Sequence, residues 1–123
     1  MKGHLVTPTS LEENNWIKSS ILVHPSAQGN IPLGYTDINT EGKWQYITGE
    51  IGVVANNTHF SDWSPGGPDN NGCGMGVDED VAHYGSSADI QRRWNDIPAT
   101  TIGACGSDPF NAVIVEFEYT LCP

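Results

Sequence analysis

Hydrophobic and polar positions follow two periods along this chain. Near the start, Ile17 and Ile21 lie one helical turn apart, after Ser10-Leu11-Glu12-Glu13. That tetrapeptide fits a capping box, in which the Ser hydroxyl caps the first turn and the Glu reaches back. The spacing predicts a helix over residues 11–20 with Ile17 and Ile21 toward the core, ended by Pro25. Elsewhere the period is two. Residues 4–7 read as a short strand stopped by Pro8, and residues 33–36 as a strand with a close backbone approach at Gly34. Residues 43–48 alternate and carry Trp44 and Tyr46, so they are expected as a strand; Gly49 to Gly52 break it. Residues 81–84 and 92–95 read as strands, the second bearing a core tryptophan, Trp94. The clearest strand is 112–119, with Val113, Val115, Phe117 and Tyr119 on one face and Glu116 and Glu118 on the other. Residues 53–59 are compatible with a hairpin arm or an extended insertion. One early helix and several short strands predict an α+β domain with an antiparallel sheet.

Between these elements lies a long stretch, 63–96, on which the rest is organised. Its first half is Trp63-Ser64-Pro65-Gly66-Gly67-Pro68-Asp69-Asn70-Asn71-Gly72. So much Gly, Pro and Asn precludes a regular helix or an inner strand. Long loops in small domains are usually functional. Here the side chains are oxygen donors, and Asp78-Glu79-Asp80 adds three carboxylates. Crowded carboxylates repel unless a cation sits among them. Calcium takes several such oxygens from a flexible loop. A solvated acidic loop is the plainer alternative for a charge run taken alone. Upstream, Asp37 and Glu41 place two further carboxylates in one turn, which alone reads as an ordinary polar turn.

Composition narrows the picture. The chain has 123 residues and 37% hydrophobic content, which suits one domain over residues 1–123 with one modest core. Asp and Glu total 15 against 5 Lys and Arg, for a formal charge of -10. That argues against a nucleic-acid backbone as partner and fits cation binding. No apolar run is long enough for a membrane span. Residues 1–4 lack the apolar region of an export signal. Three cysteines are too few for a disulfide scaffold; Cys73 and Cys105, both in Gly-rich loops, are a candidate pair. The four histidines are scattered and read as surface or half-buried residues. Asn56-Asn57-Thr58 matches a glycosylation acceptor. The run Gly72-Cys73-Gly74-Met75-Gly76 lacks the Lys and Ser or Thr of a phosphate loop. No nucleophile, histidine and acid form a recognisable triad, so no enzyme is expected.

Taken in series, these segments resemble the C-type lectin-like domain family. Gly3-His4-Leu5-Val6 with Ser10 to Asn14 looks like the family's strand and second helix. Leu33 to Asp37 with Glu41-Gly42-Lys43-Trp44 looks like its glycine-containing strand and following turn. Phe60 to Trp63 and Pro65 to Asn70 look like the start of its long loop. Glu79-Asp80 and Trp94-Asn95-Asp96 look like its ion-binding segments, and Ala112 to Phe117 like its last strand. Two departures stand out. The family's opening strand and first helix, about 25 residues, have no counterpart before Gly3, so a trimmed domain or another covering segment or chain is expected. The family's four usual cysteines are also absent, as in bacterial-type members; Val81, Ala99 and Val115 occupy three of those positions.

The resemblance implies two calcium positions. One, which holds both ion and sugar in the family, matches Gly67, Pro68, Asp69, Glu79, Asn95 and Asp96. Asp69 takes the form that resembles galactose-type members, whereas Gly67 offers no side-chain oxygen where the family has Glu or Gln. The Gly67-Pro68 bond is a candidate cis peptide. The other position, which stiffens the loop, matches Asp37, Glu41, Asn70, Glu79 and Asp80. At the first, the ion leaves coordination sites open for two adjacent sugar hydroxyls, and its ligands hydrogen-bond them. Trp63 and Tyr84 could pack on a sugar face but read as structural. The implied function is an extracellular, calcium-dependent carbohydrate-binding domain, aided by further protein subunits if multivalent. The alternative is a protein-binding, adhesion or structural surface module whose sugar site has decayed at Gly67. Ice binding, also known in the family, would need a flat, regular surface.

Overall fold

The computed structural model describes residues 2–49, 60–72, 74–99, 110 and 112–118. Its elements are β1 (Gly3–Leu5), α1 (Leu11–Ser20), a 3-10 turn (Pro25–Ala27), β2 (Ile31–Thr36), β3 (Gln45–Tyr46), β4 (Val81–Tyr84), β5 (Trp94–Ile97) and β6 (Val115–Phe117). The class is α+β, with small antiparallel sheets and a single described helix. Four strands form one sheet in the order β3-β2-β4-β5, and β1 pairs with β6 in a second. The Gly34 N–H donates to the Val6 carbonyl at 2.8 Å and joins the two sheets. A Cβ at Gly34 would lie 2.9 Å from the Leu5 oxygen, which is the close approach expected there.

The helix matches its predicted span. Ser10 caps it, accepting from the Glu13 N–H at 3.1 Å. Glu13 reaches back one residue further than a capping box requires, accepting from the Thr9 N–H at 3.0 Å. The helix stops at Ser20, with Ile21 as its C-cap, ahead of Pro25. Ile17 is buried, and Ile21 packs against the core at its margin. The core is aromatic: Tyr35 lies with its ring centroid 4.5 to 5.9 Å from those of Trp44, Tyr46, Trp63 and Trp94. Trp94 and Tyr84 are wholly buried and Trp63 partly so. Both sugar-stacking candidates therefore serve the core.

Several expectations need correction. The strand predicted over 43–48 is only Gln45–Tyr46, and the one over 92–95 begins later, at Trp94. Arg92 takes a left-handed φ of 49°, which an extended strand excludes. Its guanidinium instead donates to the carbonyls of Leu22, Ala27, Gly29 and Gly85. His83, expected at or near the surface, is buried beside β5. The last strand is shorter than residues 112–119 and faces the other way. Val113, Val115 and Phe117 are exposed, while Ala112 and Ile114 pack on the core. Glu116 turns inward and accepts from the N–H and hydroxyl of Thr7 at 2.8 and 2.9 Å. Alternation found both faces but could not say which was inside, because a charge satisfied by two donors can be placed inward. Residues 53–59, the Asn56 acceptor and the Cys73 and Cys105 pair lie outside the described residues.

A buried polar chain ties the helix to the sheet. The Tyr84 hydroxyl donates to Asn14 Oδ1 at 2.6 Å, and Asn14 Nδ2 donates to Asp62 at 2.9 Å. Lys18 pairs with the same carboxylate. Replacing Asn14 with Ala would leave the buried Tyr84 hydroxyl without its acceptor, and the half-buried Asp62 short of one donor. The expected cost is about 2 kcal/mol, read as a lower urea midpoint at unchanged m-value; an unaltered midpoint would show the chain to be ornamental.

Candidate functional site

Strand register brings distant acids together. Thr36 faces Val81 across the β2–β4 ladder. The next residue on each strand, Asp37 and Asp80, therefore leaves the sheet side by side. On the other edge of β4, Ala82 faces Asp96. Two clusters result. Asp37, Glu41 and Asp80 each bring a carboxylate oxygen within 4.8 Å of the others, and so do Asp69, Glu79 and Asp96.

In the first cluster, the turn after β2 closes through Thr40 N–H to the Asp37 carbonyl at 3.0 Å, which brings Glu41 back over Asp37. Asp37 Oδ2 accepts from the Gly42 N–H at 2.9 Å, where Gly42 holds a φ of 79°. Its other oxygen, Oδ1, is buried with no hydrogen-bond partner. A buried anionic oxygen without a donor is costly. Such an oxygen could serve as a ligand to a hard cation. Burial raises the pKa of Asp80, with Asp78 and Asp37 adding to it. Glu41 is raised too, by desolvation first and then by Asp37 and Asp78. Asp78 thus borders this cluster, a role the sequence reading did not assign. Its signal was present in the acidic triplet itself.

The second cluster hangs on β5 and the loop. The loop is stitched to β5 before it reaches the acids: Ser64 N–H donates to the Trp94 carbonyl and Trp94 N–H to that of Asp62, each at 2.8 Å. The Gly67-Pro68 bond is cis, as expected. Asp96 is fully buried and accepts from the N–H groups of Asp69 at 3.2 Å and Asn70 at 2.8 Å. Asn70, at a φ of 48°, turns its Oδ1 onto the Glu79 N–H at 2.6 Å. It therefore braces the segment shared by both clusters. Asn71 N–H lies 3.2 Å from Asp69 Oδ1 and 3.1 Å from Glu79 Oε2, so this unassigned residue holds two of the three acids. Asn95 is exposed next to Asp96, with its amide nitrogen on the Asp96 carbonyl. The Glu79 carboxyl is pushed up from 4.5 to about 7 by burial first, then by Asp96 and Asp69, against the pull of the Asn71 N–H. Gly67 contributes no side-chain ligand.

Carboxylates grouped this closely could hold a positive charge between them. Oxygen-only ligands from carboxylates, with amides beside them, suit a hard cation of calcium type rather than zinc. A family model, the Lectin C-type domain, matches residues 1–102. The chain belongs to the C-type lectin domain family. The lectin domain is 34% identical over 115 residues to pulmonary surfactant-associated protein D of Sus scrofa, covering 94% of this chain and 25% of that protein. It is 30% identical over 101 residues to a perlucin-like protein of Mytilus galloprovincialis, covering 82% of this chain and 57% of that one. The chain thus spans about half of one relative and a quarter of the other. Among solved structures, the mouse scavenger receptor C-type lectin carbohydrate-recognition domain superposes with a TM-score of 0.56 at 31% identity, over 77% of this chain and 62% of that one. The C-type lectin CEL-I from Cucumaria echinata gives 0.60 at 20% identity, over 93% and 65%, and shows the shared fold. Among the described residues, no helix is long and apolar enough to cross a membrane.

The raised carboxyls set a direction for pH. A folded-state pKa above the unfolded value of 4.5 gives stability that is complete below 4.5 and lost as pH rises through about 7. Metal-free protein is therefore expected to melt lower at pH 8 than at pH 5. Glu79→Gln should flatten that decline. A wild-type melting temperature that rises over this window would contradict the crowding.

Proposed function

We propose that this lectin domain is an extracellular, calcium-dependent carbohydrate-binding module. The observation that carries the reading is the convergence of two carboxylate clusters, one with a buried oxygen lacking any donor. Asp37, Glu41 and Asp80 would hold the ion that stiffens the loop, with Asn70 and Glu79 bracing it. Asp69, Glu79, Asn95 and Asp96 would hold the second ion and, through its open coordination sites, two neighbouring sugar hydroxyls. Bound calcium supplies a Lewis-acidic centre for those hydroxyls. Every other contribution comes from the chain: the N–H groups of Asp69, Asn70 and Asn71 orient the carboxylates, and Trp63 with Trp94 holds the loop's first half to β5.

Asp69 supports a galactose-type ligand, and Gly67 leaves one coordination position to be filled by the ligand or by water. Three carboxylates around one divalent ion leave net negative charge, which favours neutral sugars over acidic ones. A single such site binds weakly, so useful avidity needs several copies on one assembly. In this reading the acids serve as ion ligands, and the role is binding rather than catalysis.

Calcium at a hundredfold excess over its Kd should stabilise the fold by about 2.7 kcal/mol, a rise in melting temperature on the order of 10 °C. A glycan array read with calcium and with chelator tests the sugar. Retention should depend on calcium and fall at least tenfold in Asp96→Asn. Stabilisation by calcium with no glycan retained would favour a surface module that binds protein, and calcium-independent melting would remove the ion sites altogether.

A further inference from the structure

Two carboxyls that the ion clusters do not use meet where α1 adjoins the β1–β6 sheet. Glu116 on β6 accepts, at Oε2, from the Thr7 N–H at 2.8 Å and the Thr7 hydroxyl at 2.9 Å. Glu13, in the first turn of α1, does the same with Thr9. Its Oε2 accepts from the N–H at 3.0 Å and the hydroxyl at 3.2 Å. Only Pro8 separates the two threonines, so all four donors sit along one short stretch between β1 and the helix. The Glu13 carboxyl thereby comes within hydrogen-bonding reach of Glu116. Acids from opposite ends of the sequence are held as a pair, both half-buried.

Two carboxylates this close repel, whereas one proton between them turns the repulsion into a charge-assisted hydrogen bond. Burial comes first in raising the Glu13 carboxyl above its usual value; the Thr9 N–H opposes it, and Glu116 adds to the rise. Other groups face the pair from neighbouring elements. On β1, His4 Nδ1 lies 3.8 Å from Glu116 Oε2 and 2.8 Å from the Leu5 carbonyl, and carries charge only when protonated. On β4, the buried Tyr84 phenol feels the Glu13 charge. Glu12 on the helix and Glu118 after β6 are exposed.

We propose that Glu13 and Glu116 form a proton-sensitive latch that fastens the first turn of α1 to the β1–β6 sheet, closed when a proton lies between the two carboxyls and loosened when both are ionised. Loss of that proton to water leaves two like charges across the joint between helix and strand. Because Glu13 is raised in the folded state, the latch's contribution is complete below 4.5 and is lost as pH rises through the folded value. Neither residue belongs to an ion cluster, so the latch stands apart from the sugar reading.

The test uses the whole chain with calcium. The Glu13 side-chain carboxyl is followed by carbon NMR through a pH titration, in wild type and in Glu116→Gln. Wild-type Glu13 should titrate above 4.5 and shift back toward it in Glu116→Gln, which keeps an oxygen for Thr7. Thermal melts give a second readout. In Glu13→Gln the amide donates to Glu116 at every pH. Relative to that variant, wild type should lose melting temperature between pH 4 and pH 8; the calcium dependence common to both cancels in the difference. A Glu13 midpoint unmoved by Glu116→Gln would overturn the latch, as would a melting difference that stays constant over this window. Should Glu116→Gln fail to fold, the comparison with Glu13→Gln decides alone.

Discussion

Antiparallel pairing of β4 on both edges is the constraint from which the rest of the molecule follows. Val81 faces Thr36 on one side and Ile97 on the other. That double pairing places Asp37 beside Asp80 and runs Asp96 alongside Ala82. Glu79 and Asp80 immediately precede the strand, so a single extended segment feeds acids to both clusters. The aromatic core makes the pairing durable. Tyr84 on β4 packs on Trp94 of β5, Tyr35 on β2 packs on Trp94, Trp44 and Trp63, and Trp94 also meets Trp63 and Phe60. Aromatic burial of this extent supplies the apolar stabilisation that a short sheet lacks by itself.

Against that stabilisation stands the repulsion of two groups of three carboxylates. The chain offsets it in part with backbone N–H donors from Asp69, Asn70, Asn71 and Gly42. The remainder is left as raised carboxyl pKa values and an orphaned oxygen on Asp37. A fold under selection for stability alone would replace such groups with apolar ones. Grouped carboxylates surrounded by tight turns are a donor set that could hold a cation from solution.

The β1–β6 sheet shows a different arrangement. On β6 the polar residue Glu116 is turned inward onto Thr7, while Val113, Val115 and Phe117 face out. Gly3 allows this, since Val115 and Phe117 lie where its Cβ would be, at 2.7 and 2.9 Å. The helix meanwhile is joined to the sheet by the Tyr84–Asn14–Asp62 relay rather than by apolar contact alone. Polar bonds in this small core fix the helix orientation, because each tolerates only one geometry.

Local chemistry determined much of this protein. Ser10 and the Ile spacing placed the helix, because capping and the 3.6-residue period act within a few residues. Gly34, the cis Gly67-Pro68 bond and the strand at 81–84 were legible for the same reason. The acids at 37, 41, 69, 79, 80 and 96 were recognisable as oxygen donors, and their likeness to a family pattern suggested how they group. Their convergence, however, depended on strand register, which spans more than forty residues and leaves no mark in any one segment. Tertiary structure alone decided that Glu116 points inward, that β5 starts at Trp94 because Arg92 turns away to clasp four carbonyls, and that His83 is buried. It alone gave Asn71 its place, because a lone amide in a polar loop carries no periodic signal until two carboxylates close around it.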